Sequence, residues 1–287
     1  MANSTSSTLA ALFSDVQQAA LFTMQERGFM RPLVRNFNLI GQPGKQAKVG
    51  IYPKLAVSDV TSGENSDASA TTITATSKTY NADEVAVMAT LTDTARDSAD
   101  DDTAASIGRI LGETLARKVD SDIADLFSGF STEVGGGATP PELTADLILQ
   151  AVASLRANSV VGPYVGVFHP NQMFNLKKTL SNAGYANGGG QAISEIGNAA
   201  LREGFIGRLY GVDLYESAEV TGDSTGAFSG AVMHTDAIAF AMKKDLAIET
   251  QRDASLRATE IVASMTYAVG ELQDLHGVRV LTEAVID

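Results

Sequence analysis

Between Ile107 and Phe127 an apolar residue falls at every fourth position: Ile107, Leu111, Leu115, Val119, Ile123 and Phe127, with Ile110 and Leu126 beside them. Side chains four apart stack on one face of an α-helix, so this stripe predicts a helix over 102–127 with a single apolar side. Asp100, Asp101 and Asp102 precede it, where the helix dipole favours negative charge. Asp102 or Thr103 can cap it, and Gly129 lies just past its end. At 1.5 Å per residue such a helix runs roughly 39 Å, long for a helix in a globular enzyme. The opposite face carries Arg109, Glu113, Arg117 and Asp120, all expected in solvent. The pattern reads as a spine lying across a flat molecule, and the rest of the chain has to cover its apolar side.

Two segments ahead of the spine are candidates. Residues 8–27, "TLAALFSDVQQAALFTMQER", place Leu9, Leu12, Phe13, Val16, Ala20 and Met24 at helical spacing. That stripe either packs on its own domain or is an arm laid on a neighbour. From Lys48 to Thr92 the period changes. "KVGIYPKLAV" can be extended, broken at Pro53, and "TSGENSDASAT" is a small, polar loop tip with nothing to bury. In "VAVMATL", Val85, Val87, Ala89 and Leu91 alternate with Ala86, Met88 and Thr90, which is strand patterning. The segment 46–92 is therefore expected to be a long two-stranded excursion with a polar tip. A lone ribbon is marginal in water, so it needs a surface to lie on, and another subunit can supply one.

After the spine, "STEVGGGATPPEL" is a break rich in glycine and proline. "LTADLILQAVASLRANSV" is a helix burying Leu147, Ile148, Ala151, Val152 and Leu155, "YVGVF" is a short apolar strand, and "HPNQMFNLKKTL" is a further helix. A Gly/Asn/Ala loop follows. "GRLYGVDLYES", "GAVMHTDAIAFAM", "LAIETQRDASLRATEIVASMTYAVGEL" and "GVRVLTE" are mostly strand by their β-branched content. The order is helix, ribbon, long helix, mixed segment, then strands: an α+β fold.

Composition removes several functions. Lys+Arg number 21 against 34 Asp+Glu, a formal net charge of −13 with three histidines neutral. Such a chain is poorly suited to gripping phosphate backbones. With no cysteine, disulfides and thiolate metal sites are excluded. The absence of tryptophan and the scarcity of aromatics argue against base-stacking platforms. The N-terminal stretch has neither a basic n-region nor a long apolar run, so neither a signal peptide nor a membrane span is expected.

His169 is the residue that invites a catalytic reading, as the base of a soluble α/β hydrolytic enzyme. It precedes Pro170, and proline is favoured at the first helical position. The histidine then falls where a cap would lie, at a strand-to-helix corner. A nucleophile and an orienting carboxylate at recognisable spacing are missing, and no G-x-S-x-G occurs. His169, His234 and His276 are far apart with no H-x-x-x-H pair, and "DSADDD" lacks the glycine and twelfth-position glutamate of a calcium loop. The glycine runs at 135–137 and 188–190 lack a following Lys-Ser/Thr. No catalytic residue, cofactor or metal is expected.

What remains is an order of elements: an arm, a polar-tipped hairpin, "VAVMATLTDTARDSADDD" leading into the spine, the "VFHP" corner, "GRLYGVDLYES" and "HTDAIAFA". In that order the chain resembles the major capsid proteins of tailed double-stranded-DNA bacteriophages, whose fold is shared with encapsulins. The resemblance spans nearly the whole chain. It implies an N-terminal arm over 1–45 and an extended hairpin loop over 46–92. The peripheral domain would take 93–159 and 231–287 with the spine helix, and the axial domain 160–230. It implies a structural protein that assembles into hexamers and pentamers of an icosahedral shell around double-stranded DNA. Lys54, Glu64, Asp67, Lys78, Arg109 and Arg117 are the expected subunit-interface residues. Some relatives carry a scaffolding domain of about a hundred residues ahead of the arm; none is seen here, which implies a separate scaffolding protein or a chain already processed, and the separate scaffolding protein is expected, with a portal and a decoration protein as further partners. Synthesis in the bacterial host cytoplasm, incorporation into the virion capsid and no membrane association complete the expectation. Lys54 and Lys78 lie where a few relatives form an isopeptide crosslink, but no partner asparagine is identifiable and no crosslink is expected. The alternatives are an encapsulin-like cargo shell and the hydrolytic enzyme using His169.

Overall fold

The computed structural model describes residues 17–24, 28–41, 43–52, 72–94, 103–137, 139–186, 207–223 and 226–283. In chain order these form α1 (17–24), β1 (Arg35–Asn38), β2 (Gln46–Ile51), β3 (Thr76–Asn81), β4 (Asp83–Thr92) and the spine helix α2 (Thr103–Asp125). Then follow β5 (Glu133–Gly135), α3 (Ala145–Ala157), β6 (Tyr164–Phe168), α4 (Pro170–Ala186), β7 (Arg208–Leu209) and β8 (Val212–Glu216). The last strands are β9 (Ala227–His234), β10 (Ile238–Asp253), β11 (Ala258–Glu271) and β12 (Gly277–Glu283).

The spine forms as its stripe requires. Its 23 residues span about 34 Å. Leu111, Leu115, Val119 and Ile123 are each at most 3% exposed, and Phe127 is buried in the 3-10 turn that ends the helix. This face packs on a four-stranded sheet of order β1-β10-β11-β4. β10 and β11 pair antiparallel along most of their length, β4 runs antiparallel to β11, and β1 runs parallel to β10. Val85, Val87 and Ala89 on β4 turn toward the spine, while Met88 is 59% exposed on the other side.

The hairpin differs from the sequence expectation. Its second strand is β3, not β4: β2 pairs with β3 from Gln46↔Asn81 to Ile51↔Thr76. At Ala82, whose N–H donates to Lys45 O at 2.7 Å, the chain turns away, and β4 joins β11. The cause is amphipathicity. The alternating apolar face of β4 has to bury against the spine, whereas the Thr/Ser/Lys composition of β3 tolerates water on both sides.

A six-stranded sheet has the order β5-β12-β9-β6-β8-β7. All five residues of its central β6 are buried. One face is covered by Ile148, Ala151, Val152 and Leu155 of α3 and by Met173, Leu176 and Leu180 of α4. On the other face Val165, Val167, Ala231 and Met233 join the core under the spine. The strands of this sheet come both from the segments expected as peripheral (β5, β12) and from the one expected as axial (β6, β7, β8). Among the described residues no helix is long and apolar enough to cross a membrane.

Candidate functional site

His169 closes a helix start. Its Nδ1 accepts the Asn171 N–H at 3.2 Å, and Gln172 Oε1 accepts the His169 N–H at 2.9 Å. This is the reciprocal geometry of a capping box, with histidine in the place of serine. Gln172 is fully buried, and its Nε2 donates to Phe228 O at 2.8 Å and to Thr282 Oγ1 at 2.7 Å. The imidazole stacks on Phe228 with centroids 4.0 Å apart. Burial holds its pKa below the ordinary histidine value, which suits a neutral ring accepting at Nδ1. The corner therefore joins α4 to β9 and β12.

The surfaces free to meet other molecules are elsewhere. At the base of the ribbon, Lys78 Nζ donates to Glu271 Oε1 at 2.9 Å and to Glu271 O at 3.0 Å, and Tyr80 OH donates to the same carbonyl at 2.9 Å. Burial, then the Glu271 charge, pushes the Tyr80 hydroxyl up to about 12. A Cβ on Gly270 would strike the Tyr80 ring, so glycine is what lets the ribbon seat there. Together with Leu39, Ala47, Ala239, Ala241 and Ala268 this base forms a small core. Farther out, Tyr52 and Ile73 are 72% and 55% exposed. Anchored at its base and carrying two exposed apolar side chains beyond it, the described part of the ribbon offers a surface to something beyond its own core.

On the spine, Arg109 and Arg117 share an exposed face, two turns apart, with Ile110 63% exposed beside them. Arg117 Nη2 lies 2.9 Å from Glu113 Oε1, an exposed pair worth about 0.3–0.5 kcal/mol. Of the six residues expected at interfaces, Arg109 and Arg117 are thus together on one surface, and Lys78 is held by Glu271 at the ribbon base. Lys54, Glu64 and Asp67 lie outside the described residues.

Asp120 corrects the sequence expectation. It is 4% exposed, not in solvent, and its Oδ1 accepts the Met30 N–H at 3.2 Å. Burial pushes its carboxyl up to about 6; the backbone bonds from Met30 and Phe29 oppose this and Glu219 adds to it. Two turns earlier on the spine, α1 packs against it. A Cβ on Gly112 would collide with the Ala20 carbonyl, and Ala116 and Ala124 continue the small-residue row. The row Gly112, Ala116, Asp120, Ala124 at i+4 was the available signal: one polar member in a stripe of small residues marks a covered face. Tyr267 OH also donates to Asp122 Oδ2 at 2.5 Å, tying the sheet to the spine. The fold brings His234 and His276 together as well, with ring centroids 5.8 Å apart.

The phage capsid protein family matches residues 56–280. No curated protein sequence matches the chain. Among solved structures, one from Mycobacterium phage Che8 is similar at 21% identity and a TM-score of 0.70, over 88% of this chain and 90% of that one. The mature capsid of bacteriophage PhiM1 is similar at 17% identity and a TM-score of 0.65, over 90% and 88%. The holo-SrpI encapsulin complex of Synechococcus elongatus is similar at 10% identity and a TM-score of 0.61, over 90% and 88%.

Proposed function

The chain belongs to the phage capsid protein family, as a major capsid protein whose copies form an icosahedral shell, and we propose that this shell encloses double-stranded DNA without binding it tightly. The role is structural. The observation that supports assembly is the ribbon, anchored at its base and carrying the exposed Tyr52 and Ile73 beyond it. An element of this kind contributes little to its own subunit and gains its stability on a neighbour's surface. The ribbon and the Arg109/Arg117 face of the spine are the proposed contacts, and Lys54, Glu64 and Asp67, which lie outside the described residues, are proposed to join them. Lys78 is proposed to act indirectly, setting the ribbon's angle through Glu271.

The domains are proposed to follow the sheets. The spine with the four-stranded sheet is the peripheral domain, and the six-stranded sheet with α3 and α4 is the axial domain, with α1 as part of the arm. Hexamers and pentamers, a separate scaffolding protein, a portal and a decoration protein are the proposed partners, with synthesis in the host cytoplasm. The charge of −13 supports loose enclosure, because an acidic wall repels packed phosphates rather than trapping them. A cargo shell of the encapsulin kind is the second reading, supported by likeness of fold to the encapsulin complex.

Co-expression with the scaffolding protein, followed by electron microscopy and nuclease protection, tests the reading. Closed particles tens of nanometres across that protect double-stranded DNA, once the packaging machinery is supplied, are expected. A stable monomer or dimer in that co-expression overturns the assembly. Closed particles that form with no scaffold and fill with protein cargo overturn the DNA role.

A further inference from the structure

Two of the chain's passages between its four-stranded and six-stranded sheets are short turns, and these two meet. β9 leads through the turn Thr235–Ala237 into β10, and β11 leads through the turn Asp274–His276 into β12. β9 and β12 are antiparallel neighbours with Gly277 opposite Met233, and the same register sets His276 beside His234. Ala237 O accepts the Leu272 N–H at 2.7 Å and the Gln273 N–H at 3.2 Å, so backbone bonds staple one turn to the other. Against this staple lie His234, Asp236 and His276, each partly buried. Each offers one ligand atom, and these atoms all fall within 4.8 Å of one another. The two rings stand nearly perpendicular, at 84°.

The hydrogen bonds of the turn already orient two of the groups. His234 Nδ1 accepts the Asp236 N–H at 3.2 Å, so the neutral ring carries its proton on Nε2 and its lone pair on Nδ1. That nitrogen lies 3.6 Å from Asp236 Oδ2. Arg35 Nη1 takes the other carboxylate oxygen, Oδ1, at 3.3 Å. One imidazole lone pair and one carboxylate oxygen therefore stand side by side, with the second imidazole across the strand pair.

We propose that His234, Asp236 and His276 form a binding site for a divalent transition-metal ion of the zinc class, which fastens the two passages between the sheets. Two imidazoles and a carboxylate are the donor set such ions take, with water completing a tetrahedron. Bonds of about 2.0–2.1 Å place the ligands of a tetrahedral ion about 3.3 Å apart, so ligand atoms now within 4.8 Å of one another close by up to about 1.5 Å around it. The ion displaces the Asp236 N–H from His234 Nδ1, while the backbone staple through Ala237 stays intact. Magnesium and calcium, which prefer all-oxygen shells, fit this donor set poorly.

The probe is Zn²⁺ itself, on purified protein first stripped with a chelator and then dialysed against zinc chloride. Metal analysis is expected to give one zinc per chain in the wild type and near none in Asp236→Asn and in His276→Ala. The thermal midpoint is expected to rise with Zn²⁺ and stay unchanged with Mg²⁺. Cobalt(II) provides a readout independent of the variants: intense visible d–d bands are expected from a tetrahedral nitrogen/oxygen site. Wild type that retains well under one zinc per chain overturns the proposal. So does equal zinc retention in a folded His276→Ala variant, or a cobalt spectrum indistinguishable from the aqueous ion.

Discussion

Asp120→Asn tests the junction of arm and spine, and the structure sets its sign. The folded protein holds the Asp120 carboxyl at about 6, against an ordinary value of 3.8, chiefly because burial disfavours the charge. A folded value above the unfolded one means that folding favours the protonated form. The associated stability is present in full below about pH 4 and is lost as the pH rises through 6. About two units at 1.36 kcal/mol each puts the loss at no more than about 3 kcal/mol. Asparagine keeps an oxygen to accept the Met30 N–H and has no charge to bury. In urea unfolding of the unassembled subunit, the advantage of Asp120→Asn over wild type should grow by about 2 kcal/mol between pH 4.5 and pH 8. Asp120→Ala, by contrast, leaves the fully buried Met30 without its acceptor and should be about 1–3 kcal/mol less stable than Asp120→Asn at both pH values. A difference between wild type and Asp120→Asn that is constant from pH 4.5 to 8 would refute the argument, since it would mean that this carboxyl does not titrate in that range on folding.

Other outcomes follow from the same geometry. His169→Ala should cost about 1 kcal/mol through the lost cap and leave assembly intact, whereas Gln172→Ala, which strands three hydrogen-bond partners, one of them the fully buried Thr282, should cost about 2–4 kcal/mol in urea unfolding. Gly270→Ala should force the Tyr80 ring and the ribbon base aside, giving a folded subunit whose particles are fewer or misshapen by electron microscopy. Replacing 61–70 by Asn-Gly should leave the subunit's melting transition nearly unchanged, since loop closure changes by only about 0.6 kcal/mol per doubling of length, and should prevent closed particles. Normal shells from that variant would make the tip a passive loop.

The spine, the capped helices and most strands were legible because each is set by local periodicity. The i+4 stripe fixed α2, the apolar face of Ile148, Ala151, Val152 and Leu155 fixed α3, and the proline after His169 fixed the corner. The element order was enough to reveal the family, because the family is defined by that order more than by any single motif. What the sequence could not settle is which surface each element meets. It placed β4 in the ribbon, since alternation states that a strand has an apolar face but not which helix will cover it. It placed Asp120 in water, since a carboxylate in a helix reads as solvated until a second chain segment crosses over it. His234 and His276 stand 42 positions apart in the chain and became neighbours only through the register of β9 with β12. Local propensity acts within a turn or a strand pair, whereas contacts across sheets come from burying several apolar faces at once, and only the assembled fold determines which residues those faces bring together.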